Sequence, residues 1–200
     1  MAEPRTLRDL AGVPSGPPPL ADAALVLIDC QHEYVDGLLP LIGIEEALSE
    51  GSRVLDVARR NNVPVVHIQH RGREGGLFDP TTPRFAIAEA VAPAGDEPVI
   101  EKALPNAFAG TGLQETLAAT GRTHLIVIGF MTHMCVSSTV RASLDLGYAS
   151  TVVSGACATR DLPDGQGGTV PADTLHRCAL VALSDRFSAV VPDAASLIET

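Results

Sequence analysis

Apolar residues fall along this chain in short blocks whose spacing switches between two periods. Ala23-Ala-Leu-Val-Leu-Ile28 is an unbroken apolar run closed by Asp29, which is the signature of a strand buried on both faces. Residues 43–62 place Ile44, Leu48, Val54, Leu55 and Ala58 at helical intervals and stop at Asn61-Asn62. A second strand is expected over 63–69, and Gly72, Gly75, Gly76, Pro80 and Pro83 then mark a long loop. A short strand at 98–102, a helix at 112–120 and a strong strand at 123–129 follow. The rest reads as a helix over 134–146, a strand at 149–154, a helix at 171–184, a short strand at 187–190 and a last turn at 194–198. Residues 1–20 differ: Pro14, Pro17, Pro18 and Pro19, with Gly12 and Gly16, oppose regular structure. We expect an arm over 1–20 and a single domain over 21–200.

Strand and helix alternating in this way imply crossover connections. The expected fold is therefore α/β, three-layered and Rossmann-like, with a mainly parallel sheet between helices. In such sheets ligands bind at the carboxyl ends of the strands, so polar residues just past each apolar run are the ones to inspect.

Composition narrows the function. The 200 residues carry 14 Lys+Arg against 24 Asp+Glu, a net charge of −10 with no basic run, which disfavours nucleic acid as a partner. No apolar run approaches the ~20 residues of a membrane span, and the first residues lack the apolar core of a signal peptide. The four cysteines lie far apart without a CxxC pair, which suits free thiols in a reducing cytoplasm better than disulfides or a zinc cage.

Three strand ends carry candidate chemistry. Asp29 is either a solvated carboxylate or a base held in a cleft. Lys102 is either a surface charge or a buried partner. Cys135 follows the strongest strand at the entry to a helix, where the helix dipole would favour thiolate; the alternative is a small buried hydrophobe. Together they supply a nucleophile, an acceptor for its proton and a cation to stabilise the thiolate.

Leu27-Ile-Asp29-Cys-Gln31, Glu101-Lys102-Ala-Leu-Pro-Asn-Ala-Phe108 and Gly129-Phe-Met-Thr-His-Met-Cys135 resemble the three signature segments of the isochorismatase-like cysteine hydrolases. The resemblance spans about residues 22–192. It implies a six-stranded sheet of order 3-2-1-4-5-6 and an Asp29–Lys102–Cys135 triad that cleaves a small-molecule amide or ureide through a thioester, with no cofactor. It also implies a cis peptide between Phe130 and Met131 that turns the Met131 N–H inward, so that the Met131 and Cys135 amides form an oxyanion hole. Homo-oligomers, dimeric or larger, are expected from the same resemblance. Enol-ether hydrolysis is the alternative chemistry, disfavoured by Cys135 because that branch carries another residue there. A non-catalytic member of the fold is the third reading.

Further substrate-binding candidates are Gln31, Phe108, Thr132 and His133. Gln31 alternatively orients a loop, Phe108 is alternatively core, and Thr132 is a candidate helix cap. A metal site is not expected: the nicotinamidase-like Asp-x-His pair is replaced here by His70-Arg-Gly72, and His67 and His70 point to opposite faces of one strand. Cys30 is expected to point away from the cleft, and Cys157 and Cys178 to pack internally. The Gly-rich 161–170 stretch lacks the Lys-Ser/Thr of a phosphate loop, and residues 165–168 read as a flap over the pocket.

Overall fold

The structure is a computed structural model in which residues 3–14 and 16–198 are described. Its strands are β1 (Ala23–Ile28), β2 (Val65–His70), β3 (Val99–Lys102), β4 (His124–Phe130), β5 (Ala149–Ala158), β6 (Leu162–Pro163), β7 (Thr169–Val170) and β8 (Ala189–Val191). Its helices are α1 (Leu7–Leu10), α2 (Ile44–Arg60), α3 (Leu113–Thr120), α4 (Ser137–Asp145) and α5 (Ala172–Arg186). Six strands form one parallel sheet in the order β3-β2-β1-β4-β5-β8. The β6–β7 hairpin stands outside it, so β8 is the sixth sheet strand and the expected order holds.

The sheet divides the core by the two-residue period of its strands. Ala23, Leu25 and Leu27 of β1 join Leu48, Val54 and Leu55 of α2 on one face. Ala24, Val26 and Ile28 join Leu113 and Leu117 of α3, Val140 of α4 and Leu183 of α5 on the other. No described helix is long and apolar enough to cross a membrane.

Three boundaries differ from the sequence reading. β5 runs on to Ala158 because a register shift opposite Val127 to Gly129 lets Cys157 and Ala158 pair with Gly129 and Phe130. The polar, Gly-containing Ser154-Gly155 hides that continuation from the apolar pattern. The helix expected from 134 begins as a π-helical turn, Thr132–Val136, and becomes α4 at Ser137. The arm is not wholly irregular: ahead of Pro14, Thr6 and Asp9 form a capping box for α1, and the Leu7 N–H donates to Asp185 of α5 at 2.8 Å. The Gly-rich stretch expected as a flap is the tip of the β6–β7 hairpin, where Asp164 Oδ1 accepts the Gln166 and Gly168 N–H groups.

Gly129, near the end of β4, sits at φ +116°, and a Cβ built there would lie 2.1 Å from the Ile28 carbonyl oxygen. Only glycine lets β4 approach β1 so closely just ahead of Asp29. Gly129→Ala should therefore cost about 3 kcal/mol or more in urea denaturation. Gly121→Ala, at φ +68° in open space, should cost about 1 kcal/mol. Equal losses would contradict this packing.

Candidate active site

Asp29 leaves β1 at φ +52°, a left-handed conformation that Asp tolerates better than most residues. Lys102 closes β3, and Cys135 lies in the π-helical turn after β4. The sheet order brings these distant positions together, with the Asp29 and Lys102 side chains fully buried and Cys135 nearly so. Lys102 Nζ lies 2.7 Å from Asp29 Oδ2 and 3.3 Å from Cys135 Sγ, and it contacts His70 Nδ1 at 3.0 Å. The ammonium's three protons thus face three acceptors. The Asp29 contact is an ion pair, and among the described residues neither carboxylate oxygen accepts a well-directed hydrogen bond. The Asp29, His70 and Cys135 donor atoms lie within 4.8 Å of one another, a spacing that would suit a cation, and the ammonium already stands among them.

Protonation follows from burial. Loss of water pushes the Asp29 carboxyl up to about 6, against the opposing pull of Lys102. Burial, and then the Asp29 charge, push the Cys135 thiol up to about 12. At rest the sulfur is therefore a thiol, not the dipole-stabilised thiolate expected from sequence; desolvation and the adjacent carboxylate outweigh the helix end. Burial, aided by the ammonium, holds His70 down at about 4, so its ring is neutral. Its Nδ1 then accepts from Lys102 and its proton sits on Nε2.

The surroundings hold this cluster in place. Gln31 is fully buried; its Nε2 donates to the carbonyls of His70 (3.0 Å) and Phe85 (2.8 Å), and its Oε1 accepts the His70 N–H at 2.7 Å. Its amide is thus committed to the end of β2. Glu33, also buried, accepts the N–H groups of Leu38 and Phe78 and so ties two loops at this rim. Tyr34 packs edge-on against Phe78 and Phe130 at 5.1 and 5.9 Å, and the His70 ring lies 4.8 Å from Phe78. Burial, with the Asp29 charge, pushes the Tyr34 phenol up, so it keeps its proton.

The remaining sequence candidates separate. The Phe130–Met131 peptide is cis. Thr132 makes no helix cap: its hydroxyl donates to the Ala158 carbonyl at 3.1 Å and accepts from His176 Nδ1 at 2.9 Å. His133 Nδ1 lies 2.6 Å from Thr159 Oγ1. Phe108 stacks on Tyr148 at 6.2 Å and packs against the core below the sheet. His67 turns away to Glu97, which also holds Arg59. Cys30 and Cys157 are buried, whereas Cys178 is exposed on α5 rather than packed, because that face of the helix meets solvent.

His70 is the residue that sequence reasoning undervalued, by weighing it only as a metal ligand. It closes β2 as Lys102 closes β3, and the two are register partners. The strand-end criterion that singled out Asp29 and Lys102 applies equally to it. Tyr34 ends a single 3-10 turn, His32–Tyr34, and Phe78 lies in a loop, and neither segment is long enough for periodicity to carry a signal.

A family model for the isochorismatase domain matches residues 23–195. The chain is 34% identical over 187 residues to the secreted isochorismatase effector Isc1 of Verticillium dahliae, spanning 93% of this chain and 96% of that protein. It is 37% identical over 183 residues to a streptothricin hydrolase of Streptomyces noursei, covering 87% of this chain and 63% of that one. A crystal structure of an isochorismatase from Pseudomonas putida KT2440 matches with a TM-score of 0.92 at 44% identity, over 98% of this chain and all of that one.

Gln31→Leu would leave the His70 N–H and carbonyl without partners, while the Phe85 carbonyl would keep the Gln69 amide at 2.8 Å. The substitution should cost about 2–4 kcal/mol in urea denaturation, and a loss below about 0.5 kcal/mol would contradict the role of Gln31 as a strut.

Proposed function

We infer the chemistry from the premise that the chain belongs to the isochorismatase family and is a hydrolase. We propose a cysteine amidohydrolase that opens the C–N bond of a small amide or ureide. The observation that carries this reading is the buried Lys102 ammonium, which touches both the Asp29 carboxylate and the Cys135 sulfur.

In this reading Asp29 takes the Cys135 proton as the sulfur attacks the carbonyl carbon. Lys102 keeps carboxylate and thiol in register and offsets the charge that moves between them. The Met131 and Cys135 N–H groups receive the oxyanion. Protonated Asp29 then gives its proton to the nitrogen, the C–N bond breaks, and ammonia or an amine leaves the thioester. Water loses a proton to Asp29 and attacks that thioester. The C–S bond breaks, the sulfur recovers its proton from Asp29, and a carboxylic acid departs, or a carbamic acid when the substrate is a ureide. No step draws on an organic or redox cofactor. His133 stands as a substrate contact, while Gln31 acts on the site through His70. Thr132, with its hydroxyl engaged, and Phe108, on the core, shape the walls. Enol-ether cleavage would leave the sulfur contact unused.

The same reading takes 21–200 as the hydrolase domain and 1–20 as an arm fastened by α1. It places the chain in a reducing cytoplasm that keeps its four cysteines as thiols. It also makes the chain a homo-oligomer, resting on exposed apolar side chains such as Leu38, Leu77 and Leu104.

Cys135→Ala should abolish ammonia or amine release across a panel of small amides and ureides, while circular dichroism shows the fold retained; persisting turnover would contradict the thioester route. The base must be ionised before attack, so kcat/KM should fall on the acid side with a half-point near the Asp29 value of about 6, losing about tenfold per pH unit below it. A flat profile down to pH ~4.5 would contradict Asp29 as the base.

A further inference from the structure

We propose that His176 is a positioning residue for this reaction: through the Thr132 hydroxyl it holds the turn whose Met131 and Cys135 N–H groups receive the oxyanion. The inference rests on the cysteine amidohydrolase reading and adds to it a residue of α5, outside the cluster of Asp29, Lys102 and Cys135.

The turn that carries the sulfur is shaped by its own backbone, since the Met131 carbonyl accepts the Met134 and Val136 N–H groups at 3.0 and 3.3 Å. Those bonds set the form of the turn, not its seat against the neighbouring elements. The seat falls to Thr132, which directly follows Met131 and is fully buried. Its hydroxyl meets the Ala158 carbonyl at the end of β5 at 3.1 Å and His176 Nδ1 of α5 at 2.9 Å. One side chain thus ties the turn to a strand end and to a helix.

Proton accounting fixes the direction of both bonds. A carbonyl can only accept, so the single hydroxyl proton goes to Ala158. The hydroxyl lone pair then accepts from Nδ1, which must carry a hydrogen. Burial lowers the pKa of His176, so the ring is a neutral Nδ1–H tautomer near pH 7.5. The helix that bears it is itself anchored, because the Ala172 N–H donates to Asp161 Oδ1 at 2.8 Å. The ring also borders a cleft of about 220 Å³ shared with Ile42, Glu46, Cys157 and Asp173, and is half-buried rather than sealed in the core.

Without His176 the hydroxyl keeps its bond to Ala158, so Thr132 remains buried and satisfied as a donor. What it loses is the second of the two directions that hold the turn still. Oxyanion stabilisation depends on donors already aimed at the position the charge will occupy, so chemistry should suffer where stability barely does.

Two reactions of one sulfur test this at pH 7.5. p-Nitrophenyl acetate acylates Cys135 through an oxyanion and expels p-nitrophenolate, whereas iodoacetamide alkylates the same sulfur at a methylene carbon and forms no oxyanion. Acylation is followed by p-nitrophenolate release above the Cys135→Ala rate, and alkylation by peptide mass mapping. His176→Gln and Thr132→Val should each slow acylation by about tenfold or more while alkylation of Cys135 stays within about twofold. His176→Asn should keep most of the acylation rate, because the asparagine amide nitrogen stands as many bonds from Cα as Nδ1 does and the glutamine nitrogen stands one further. The His176→Gln/Thr132→Val double variant should lose no more than Thr132→Val alone, since the imidazole acts through the hydroxyl. Unchanged acylation in His176→Gln, equal losses in His176→Asn and His176→Gln, or acylation and alkylation falling together would overturn the positioning role and leave the nucleophile standing. Release by Cys135→Ala as fast as by the unaltered protein would overturn the cysteine amidohydrolase reading, and this proposal with it.

Discussion

An ammonium inside a protein is tolerated only where each of its protons is met, since an unmet buried charge costs several kcal/mol. Lys102 satisfies that demand with a carboxylate, an imidazole and a sulfur, each drawn from a different strand end. Most of the local architecture serves this arrangement. Gln31 pins the backbone of His70, whose neutral ring then offers a lone pair in a fixed direction. Gly129 lets β4 lie close enough to β1 for Asp29 and the turn bearing Cys135 to share one rim. Removing the ammonium would leave Asp29 and Cys135 without a common partner.

The same cation tunes the carboxyl beside it. Burial alone would hold Asp29 protonated, and the cation draws it back to a value near neutrality. The thiol beside it stays protonated. A carboxylate ionised at neutral pH beside a protonated thiol is what the proposed route asks of its base.

Much of this was legible in the sequence. Continuous apolar runs such as Ala23–Ile28 are found in strands covered on both faces, and alternation with helical segments admits few topologies. Asp29, Lys102 and Cys135 each sit where an apolar run ends, so the architecture alone nominated them. What escaped depends on contacts between segments far apart in the chain. The extension of β5 past Gly155 is decided by a register shift against β4, which no local pattern encodes. The resting state of Cys135 was misjudged because helix position is visible in sequence and burial beside a carboxylate is not. His70 was visible as a strand-end residue, but its partner could be known only once β2 and β3 were set side by side. Phe108 followed the packing alternative because its neighbour, Tyr148, lies forty residues away.

The carboxyl titration of Asp29, followed by carbon NMR in the unaltered protein and in Lys102→Met, addresses the ammonium-centred account most directly. The account predicts a midpoint near 6 with the lysine present, moving up by more than about one unit when the cation is lost. A midpoint in the ordinary range of aspartate, or one indifferent to the substitution, would contradict it.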